Sequence, residues 1–271
     1  MRRHMLIDAR KATGRTQEEV AGLVGVDRTT LGKWERDEST PHPTQRVRYA
    51  EALGVSMSEL DAMLSSLPLR VNEMPAWLDT YLAMEQSATV LRAHEPRAVY
   101  GLFQTAAYVR EIVRHAFFTA PSATFLEDTV AQRAYRQRRI RSGDLKVDVI
   151  QPEAALRLRV GGRAVMAEQL ATMAELASLP NVTIRVTTYD AGQYAARRLD
   201  DFVIMDHQWG KPRVHLEGYG GGYFISEPDE VAYLVASFDH ACRIALAPRE
   251  SAAFISRLAD AWSTNGRPRM A

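Results

Sequence analysis

The chain has 271 residues, of which 46% are hydrophobic and 25% charged, with a formal net charge of +1. This composition is typical of globular proteins and excludes collagen-like and disordered chains. One cysteine excludes an internal disulfide and a cysteine-rich zinc site. The charge is too small for a general polycation, so nucleic-acid binding would require a local basic patch. The N-terminus has no apolar core and no apolar run approaches about 20 residues, which predicts a cytoplasmic protein that does not contact a membrane.

Residues 5–64 predict a domain of five short helices. Thr16 and Glu19 form a capping box at the start of the second helix, and Gly25 ends it. Asp27 is an N-cap residue for a third helix, whose apolar anchors are Leu31 and Trp34. Two helices that cross steeply through a short turn need this order of small residue, glycine and apolar anchors. The predicted fold class is therefore an all-α helix-turn-helix domain over residues 1–64.

This segment resembles the helix-turn-helix of the XRE family, which includes the lambda and 434 repressors. The resemblance rests on the Thr-Gln pair at 16–17 and the run GVDRTTLGKWE at 25–35. It implies that the start of the third helix enters the major groove of double-stranded DNA. The implied base contacts are Arg28, Thr29, Thr30 and Lys33, and the implied phosphate contacts are Gln17, Arg36, His42 and Arg46. It also implies a structural ion pair between Arg10 and Glu35. Gly32 is a departure that costs about 1 kcal/mol of helix propensity relative to alanine.

The rest of the chain predicts a linker at 65–76, an α+β domain at 77–262 and a polar tail at 263–271. A helical stripe runs from Trp77 to Leu91, and more helices are expected near 104–117, 123–141, 161–179, 230–246 and 249–262. Strands are expected at 145–150 and 180–189, joined by a helix as a parallel pair, followed by an antiparallel meander at 201–206, 213–218 and 222–226. The expected product is a mixed sheet with several helices.

Several ordered blocks of this region resemble a C-terminal domain of unknown function in WhiJ-like and antitoxin-like actinobacterial regulators. The blocks include GLFQTAAYVREIV and LPNVTIRVTTYDAG. Tyr100 stands where relatives usually have proline. The resemblance implies control of transcription, in some relatives with a small protein partner.

No catalytic, cofactor or metal motif is evident, so the chain is not expected to be an enzyme. His207 and His215 could meet across a hairpin, but no third metal ligand is apparent. Gly161 and Gly162 before a helix could hold an anion, although glycine pairs are commonly turns. A basic stretch at 133–141 favours a solvated helix face over an auxiliary phosphate contact.

Three functions remain open at this stage. The first is a sequence-specific regulator that binds an inverted repeat as a homodimer. The second is an antitoxin-like protein that sequesters a small protein partner and regulates its own operon. The third is a regulator whose C-terminal domain senses a small-molecule ligand.

Overall fold

The computed structural model describes residues 3–36, 38–64, 74–75, 77–116, 119–208, 210–218, 221–225 and 227–264. It divides into two compact units, residues 1–68 and 69–271. Most of the expected linker, 65–73 and 76, lies outside the described residues, as does the expected tail from 265 onward. Ser263, assigned to that tail, is the last residue of a helix.

The N-terminal unit is all-helical. Its helices are α1 (His4–Ala12), α2 (Gln17–Val24), α3 (Arg28–Glu35), α4 (Pro43–Leu53) and α5 (Met57–Leu64). Local chemistry sets the α2–α3 turn. The Thr16 hydroxyl accepts from the Glu19 amide while the Glu19 carboxylate accepts from the Thr16 amide, as the capping box predicts. Gly25 ends α2 at φ 83°, a left-handed conformation that glycine adopts without steric cost.

The core of this unit fixes α3 from behind. Leu31 is fully buried and Trp34 is 2% exposed, and the Trp34 ring packs against Tyr49 of α4 at 5.3 Å between centroids. Burial of such side chains contributes about 1.5–3 kcal/mol each. The opposite side of α3 is thereby left at the surface.

The C-terminal unit is built on one mixed sheet of six strands, ordered β3-β2-β1-β4-β5-β6. Its strands are β1 (Val90–His94), β2 (Lys146–Pro152), β3 (Val182–Thr187), β4 (Asp201–His207), β5 (Gly210–Gly218) and β6 (Gly221–Ile225). β2 pairs in parallel with β1 and β3, while the pairs β1–β4, β4–β5 and β5–β6 are antiparallel. The expected parallel pair and antiparallel meander are both present.

Helices cover both faces of this sheet. They are α6 (Leu78–Ser87), α7 (Ala106–His115), α8 (Ala123–Arg141), α9 (Glu153–Arg157), α10 (Arg163–Leu176), α11 (Pro228–Ile244) and α12 (Pro248–Ser263). On one face Leu91 and Val149 pack with Leu170 of α10. On the other face Phe202 packs with Phe238 of α11. The alternation of strand side chains between the two cores makes this a three-layer α/β/α arrangement.

One predicted element was wrong. The helical stripe expected from Trp77 to Leu91 ends at Ser87, and Leu91 lies instead in β1, a central strand. Leu91 and Ala93 alternate toward one core, while Arg92 and His94 point to the other face. Apolar and polar residues need not alternate along a central strand when both of its faces are covered. The alternation that usually identifies a strand in a sequence is therefore lost.

Candidate nucleic-acid interface

The exposed surface of α3 consists of polar side chains in its first and last turns. Arg28, Thr29 and Lys33 are exposed, while Thr30 is half-buried. Their neighbours Leu31 and Trp34 anchor the helix in the core. A rigid helix with exposed donors at its N-terminal end has the form that major-groove reading requires.

Thr30 differs from the other three residues predicted to contact bases. Its hydroxyl donates to the Asp27 carboxylate at 2.8 Å, and its amide donates to the same carboxylate at 2.7 Å. These bonds cap α3 and hold the pKa of Asp27 below its ordinary value. The Thr30 hydroxyl is thus engaged in the cap of α3.

A buried carboxylate ties the helices of the N-terminal unit together. Glu35 is 2% exposed and accepts from Arg10 Nε at 2.6 Å and Arg10 Nη2 at 3.2 Å. It also accepts from the Gln17 side-chain amide at 2.8 Å. The structure thus places Arg10 beside Glu35 and orients Gln17 at the start of α2. A bidentate arginine–carboxylate pair is geometrically specific, so it fixes α1, α2 and α3 in register.

The remaining phosphate candidates lie around α3 and α4. Arg36 is exposed and forms a pair with Glu38 at 2.7 Å, an interaction that solvent weakens. His42 is exposed and its ring nitrogen accepts from the Thr44 amide at 3.4 Å, a long bond at the start of α4. Arg46 is half-buried and its Nε donates to the Pro41 carbonyl at 3.3 Å.

Arg3 has a structural role that the sequence does not indicate. Its guanidinium is buried and donates to the Trp34 carbonyl at 3.1 Å and to the Ser39 carbonyl at 2.9 Å. These acceptors lie at and beyond the end of α3, where helix carbonyls lack partners. Only the position of a basic residue just before α1 could have suggested it.

The basic stretch at 133–141 was interpreted incorrectly as a solvated helix face. Arg136 forms an ion pair with Glu85 at 2.6 Å, and the two side chains are 14% and 6% exposed. Arg139 donates to the Glu85 and Ala88 carbonyls at 2.8 Å each, which caps the end of α6. Arg133 donates to the Gln104 side chain. These three arginines therefore bind other parts of the C-terminal unit.

The two histidines suggested as a pair do not meet. His215 lies opposite Val203, whereas His207 lies opposite Gly210 and its ring contacts the Ser87 hydroxyl at 3.3 Å. Among the described residues, no group of three His, Cys, Asp or Glu side chains is arranged to hold a metal ion. A search of the same residues finds no helix with the length and apolar character needed to span a bilayer.

Family models agree with this division of the chain. A helix-turn-helix model matches residues 6–60, and the model of a domain of unknown function (DUF5753) matches residues 78–257. Searches of curated proteins and of solved structures each found no significant match. The second model covers more than half of the chain. The chain therefore belongs to the family defined by that C-terminal domain, and it carries an XRE-type helix-turn-helix DNA-binding domain at its N-terminus.

Proposed function

We propose that this protein is a sequence-specific transcription regulator, rather than an enzyme, that reads its operator through α3. The observation that carries the proposal is that Arg28, Thr29 and Lys33 are exposed on a helix whose other face is fixed by Leu31 and Trp34. An arginine or lysine can donate to the O6 and N7 acceptors of guanine, and a threonine methyl can pack against the thymine methyl.

The proposed contacts fall into two classes. Arg28, Thr29, Thr30 and Lys33 read bases, while Gln17, Arg36, His42 and Arg46 bind phosphates. Base readers set which sequence is bound, whereas phosphate contacts position the domain and make binding depend on salt. Because Glu38 competes for Arg36, the Arg36 contact would form at the expense of an exposed ion pair.

We further propose that the protein acts as a homodimer on an inverted repeat and that the C-terminal unit controls its binding. Dimers of this motif place their recognition helices about 34 Å apart, one turn of DNA. The combination in this chain of a helix-turn-helix domain with a second, larger domain supports such control.

The test is selection of genomic DNA fragments by the purified full chain, followed by footprinting of the enriched sequence. We expect a shared palindrome, and we expect the double variant Thr29→Ala/Lys33→Ala to lose selectivity for it. Each lost base contact costs about 1–3 kcal/mol of discrimination. Lys11→Ala, which removes an exposed charge from α1, is the matched control and should leave the footprint unchanged. An unaltered footprint with the double variant would refute reading through α3.

A further inference from the structure

The C-terminal unit contains a cavity of about 400 Å³. It lies at the edge of the sheet where β1 and β5 end and β4 begins, and it is covered by α6 and α8. Its volume is within the usual range for small-molecule sites, roughly 300–1,000 Å³. The proposed DNA-reading role does not involve any of its lining residues.

Carboxylates form the floor of this cavity. Asp201 and Glu217 are cross-strand partners, and Glu95 follows His94, whose partner Phe202 is adjacent to Asp201. Three like charges in one row across a sheet are unfavourable unless they are compensated. Arg97 compensates Asp201 directly through an ion pair.

Glu95 and Glu217 have no such compensation. Within the described part of the chain, neither side chain forms an ion pair. Glu95 accepts only backbone amides, from Arg97 at 3.1 Å and Ala98 at 3.2 Å. Burial raises the pKa of Glu95 to about 7 and raises the pKa of Glu217 as well. Both carboxylates therefore line the cavity without a direct ion pair, while the nearby Arg97 charge partly offsets the rise in their pKa.

The opposite wall presents the complementary charge. Arg133 of α8 lines the cavity and donates to the Gln104 side chain, but no carboxylate among the described residues pairs with it. Burial lowers the pKa of Arg133 to about 10. Arg136, one turn along the same helix, has its own carboxylate in Glu85. The cavity thus lies between a half-buried arginine and two carboxylates, of which Glu95 is half-buried and Glu217 is exposed, with no direct ion pair across it.

Aromatic side chains also line the cavity. Trp77 and Tyr81 lie edge to face at 6.3 Å between ring centroids, and the His215 ring contacts them at 5.0 and 4.7 Å respectively. Burial lowers the pKa of His215 to about 4, so this ring is neutral at pH 7. The Trp77 indole N–H has no hydrogen-bond partner among the described residues. Such a wall suits a planar apolar group.

We propose that this cavity binds a small aromatic zwitterion of the amino-acid class. Its ammonium would lie between Glu95 and Glu217, its carboxylate would accept from Arg133, and its ring would pack against Trp77 and Tyr81. Charges that are partly removed from solvent without a direct ion pair are costly, and a ligand that carries both signs supplies partners to each wall at once. A simple anion would meet the two glutamates, and an apolar molecule would leave all three charges unpaired.

The test is calorimetric titration of the full chain with four probes that share an indole ring. Tryptophan carries both charges, tryptamine lacks the carboxylate, indole-3-propionate lacks the amine, and 3-methylindole lacks both. We expect tryptophan to bind at least about tenfold more tightly than each of the others, since each of them lacks one or both of the charge-assisted hydrogen bonds. Titrations with phenylalanine and tyrosine test aromatic amino acids whose ring is smaller than indole.

Variants then assign each charge to its wall. Arg133→Met should abolish the preference for tryptophan over tryptamine, and Glu95→Gln/Glu217→Gln should abolish the preference over indole-3-propionate. Arg138→Met, on the exposed face of α8, and Glu168→Gln, exposed on α10, are matched controls that should change neither preference.

Two outcomes would overturn the proposal. One is equal binding of the four indole probes, and the other is the absence of binding by all three aromatic amino acids. If Arg133→Met fails to fold, the probe series on the unaltered chain still decides the question. Because no readout involves DNA, a failed operator selection would leave this result standing.

Discussion

The two units treat their buried charges in opposite ways. In the N-terminal unit Glu35 is buried and has both Arg10 and Gln17 as partners. In the C-terminal unit Arg133 and Glu95 line a cavity without forming an ion pair. The first arrangement uses enclosed charge to fix helices so that an outer surface can be presented. The second leaves charged side chains without a direct ion pair in a cavity, where a bound ligand would meet them.

This difference predicts opposite signs for the same kind of substitution. Removing one member of a complete buried pair leaves the other without a partner, which is destabilising. Removing an uncompensated buried charge relieves a cost that the folded state already bears. The largest effect is expected in the N-terminal unit.

Arg10→Leu should destabilise the N-terminal unit by about 3–5 kcal/mol, since it leaves the Glu35 carboxylate buried without its cation. The Arg10 and Glu35 side chains are only 12% and 3% exposed, so solvent cannot replace the lost partner. Hydrogen exchange measured by mass spectrometry on α1, α2 and α3 would report the loss locally. The neighbouring Lys11→Leu, at an exposed position, should leave exchange nearly unchanged. Similar protection in both variants would contradict a structural role for the pair.

Glu95→Gln should instead stabilise the C-terminal unit at neutral and higher pH. Burial raises the folded-state pKa of Glu95 from 4.5 to about 7, so the folded chain binds this proton more tightly than the unfolded chain does. The destabilisation of the folded wild type by ionised Glu95 therefore grows as pH rises from about 4.5 to 7. After allowance for partial solvent access, we expect a gain of about 1–2 kcal/mol above pH 7.

Thermal melting of the C-terminal unit between pH 4.5 and 8 checks this prediction. The gain should disappear toward pH 4.5, where the glutamate is protonated in both states. His94 and His215 have pKa values lowered to about 4 by burial, but they titrate alike in both proteins and cancel in the difference. Glu168→Gln should show no pH-dependent difference. A loss of stability with Glu95→Gln at pH 8 would show that the carboxylate is compensated after all.

The sequence predicted the N-terminal unit because its signals are local. The Thr16–Glu19 box and the Asp27 cap each act within three residues, and the positive φ at Gly25 is a property of that residue alone. The exposure of Thr29 and Lys33 follows from their position opposite Leu31 and Trp34 on one helix. Periodicity therefore contained the information needed for this surface.

The cavity depends on contacts that periodicity cannot show. Arg136 pairs with Glu85, which is 51 residues away in the sequence. The sequence alone therefore does not distinguish the charged face of α8 from a solvated one. The strand β1 is defined by partners in β2 and β4, far along the chain. The row of Glu95, Asp201 and Glu217 exists only once that register is known. Long-range pairing, rather than local propensity, builds this site.

The smallest expected effect concerns a glycine in α3, the helix proposed to read DNA. Gly32 is buried in α3, and a β-carbon there would meet Arg36 Nη1 at 2.9 Å, which is the far end of a flexible and exposed side chain. Alanine has a helix propensity about 0.8–1 kcal/mol more favourable than glycine, so Gly32→Ala should stabilise the N-terminal unit by somewhat less than that. Gly22→Ala on α2 is the matched control, because an added β-carbon there meets nothing within 4 Å and the full gain is expected.

Thermal melting gives both stabilities, and titration of the selected operator gives the affinities. In one outcome both variants are more stable, while only Gly32→Ala binds the operator more weakly. That result would show that the absence of a side chain at position 32 allows α3 to approach DNA closely. Destabilisation by Gly32→Ala would mean that Arg36 cannot move aside to make room for the added methyl group.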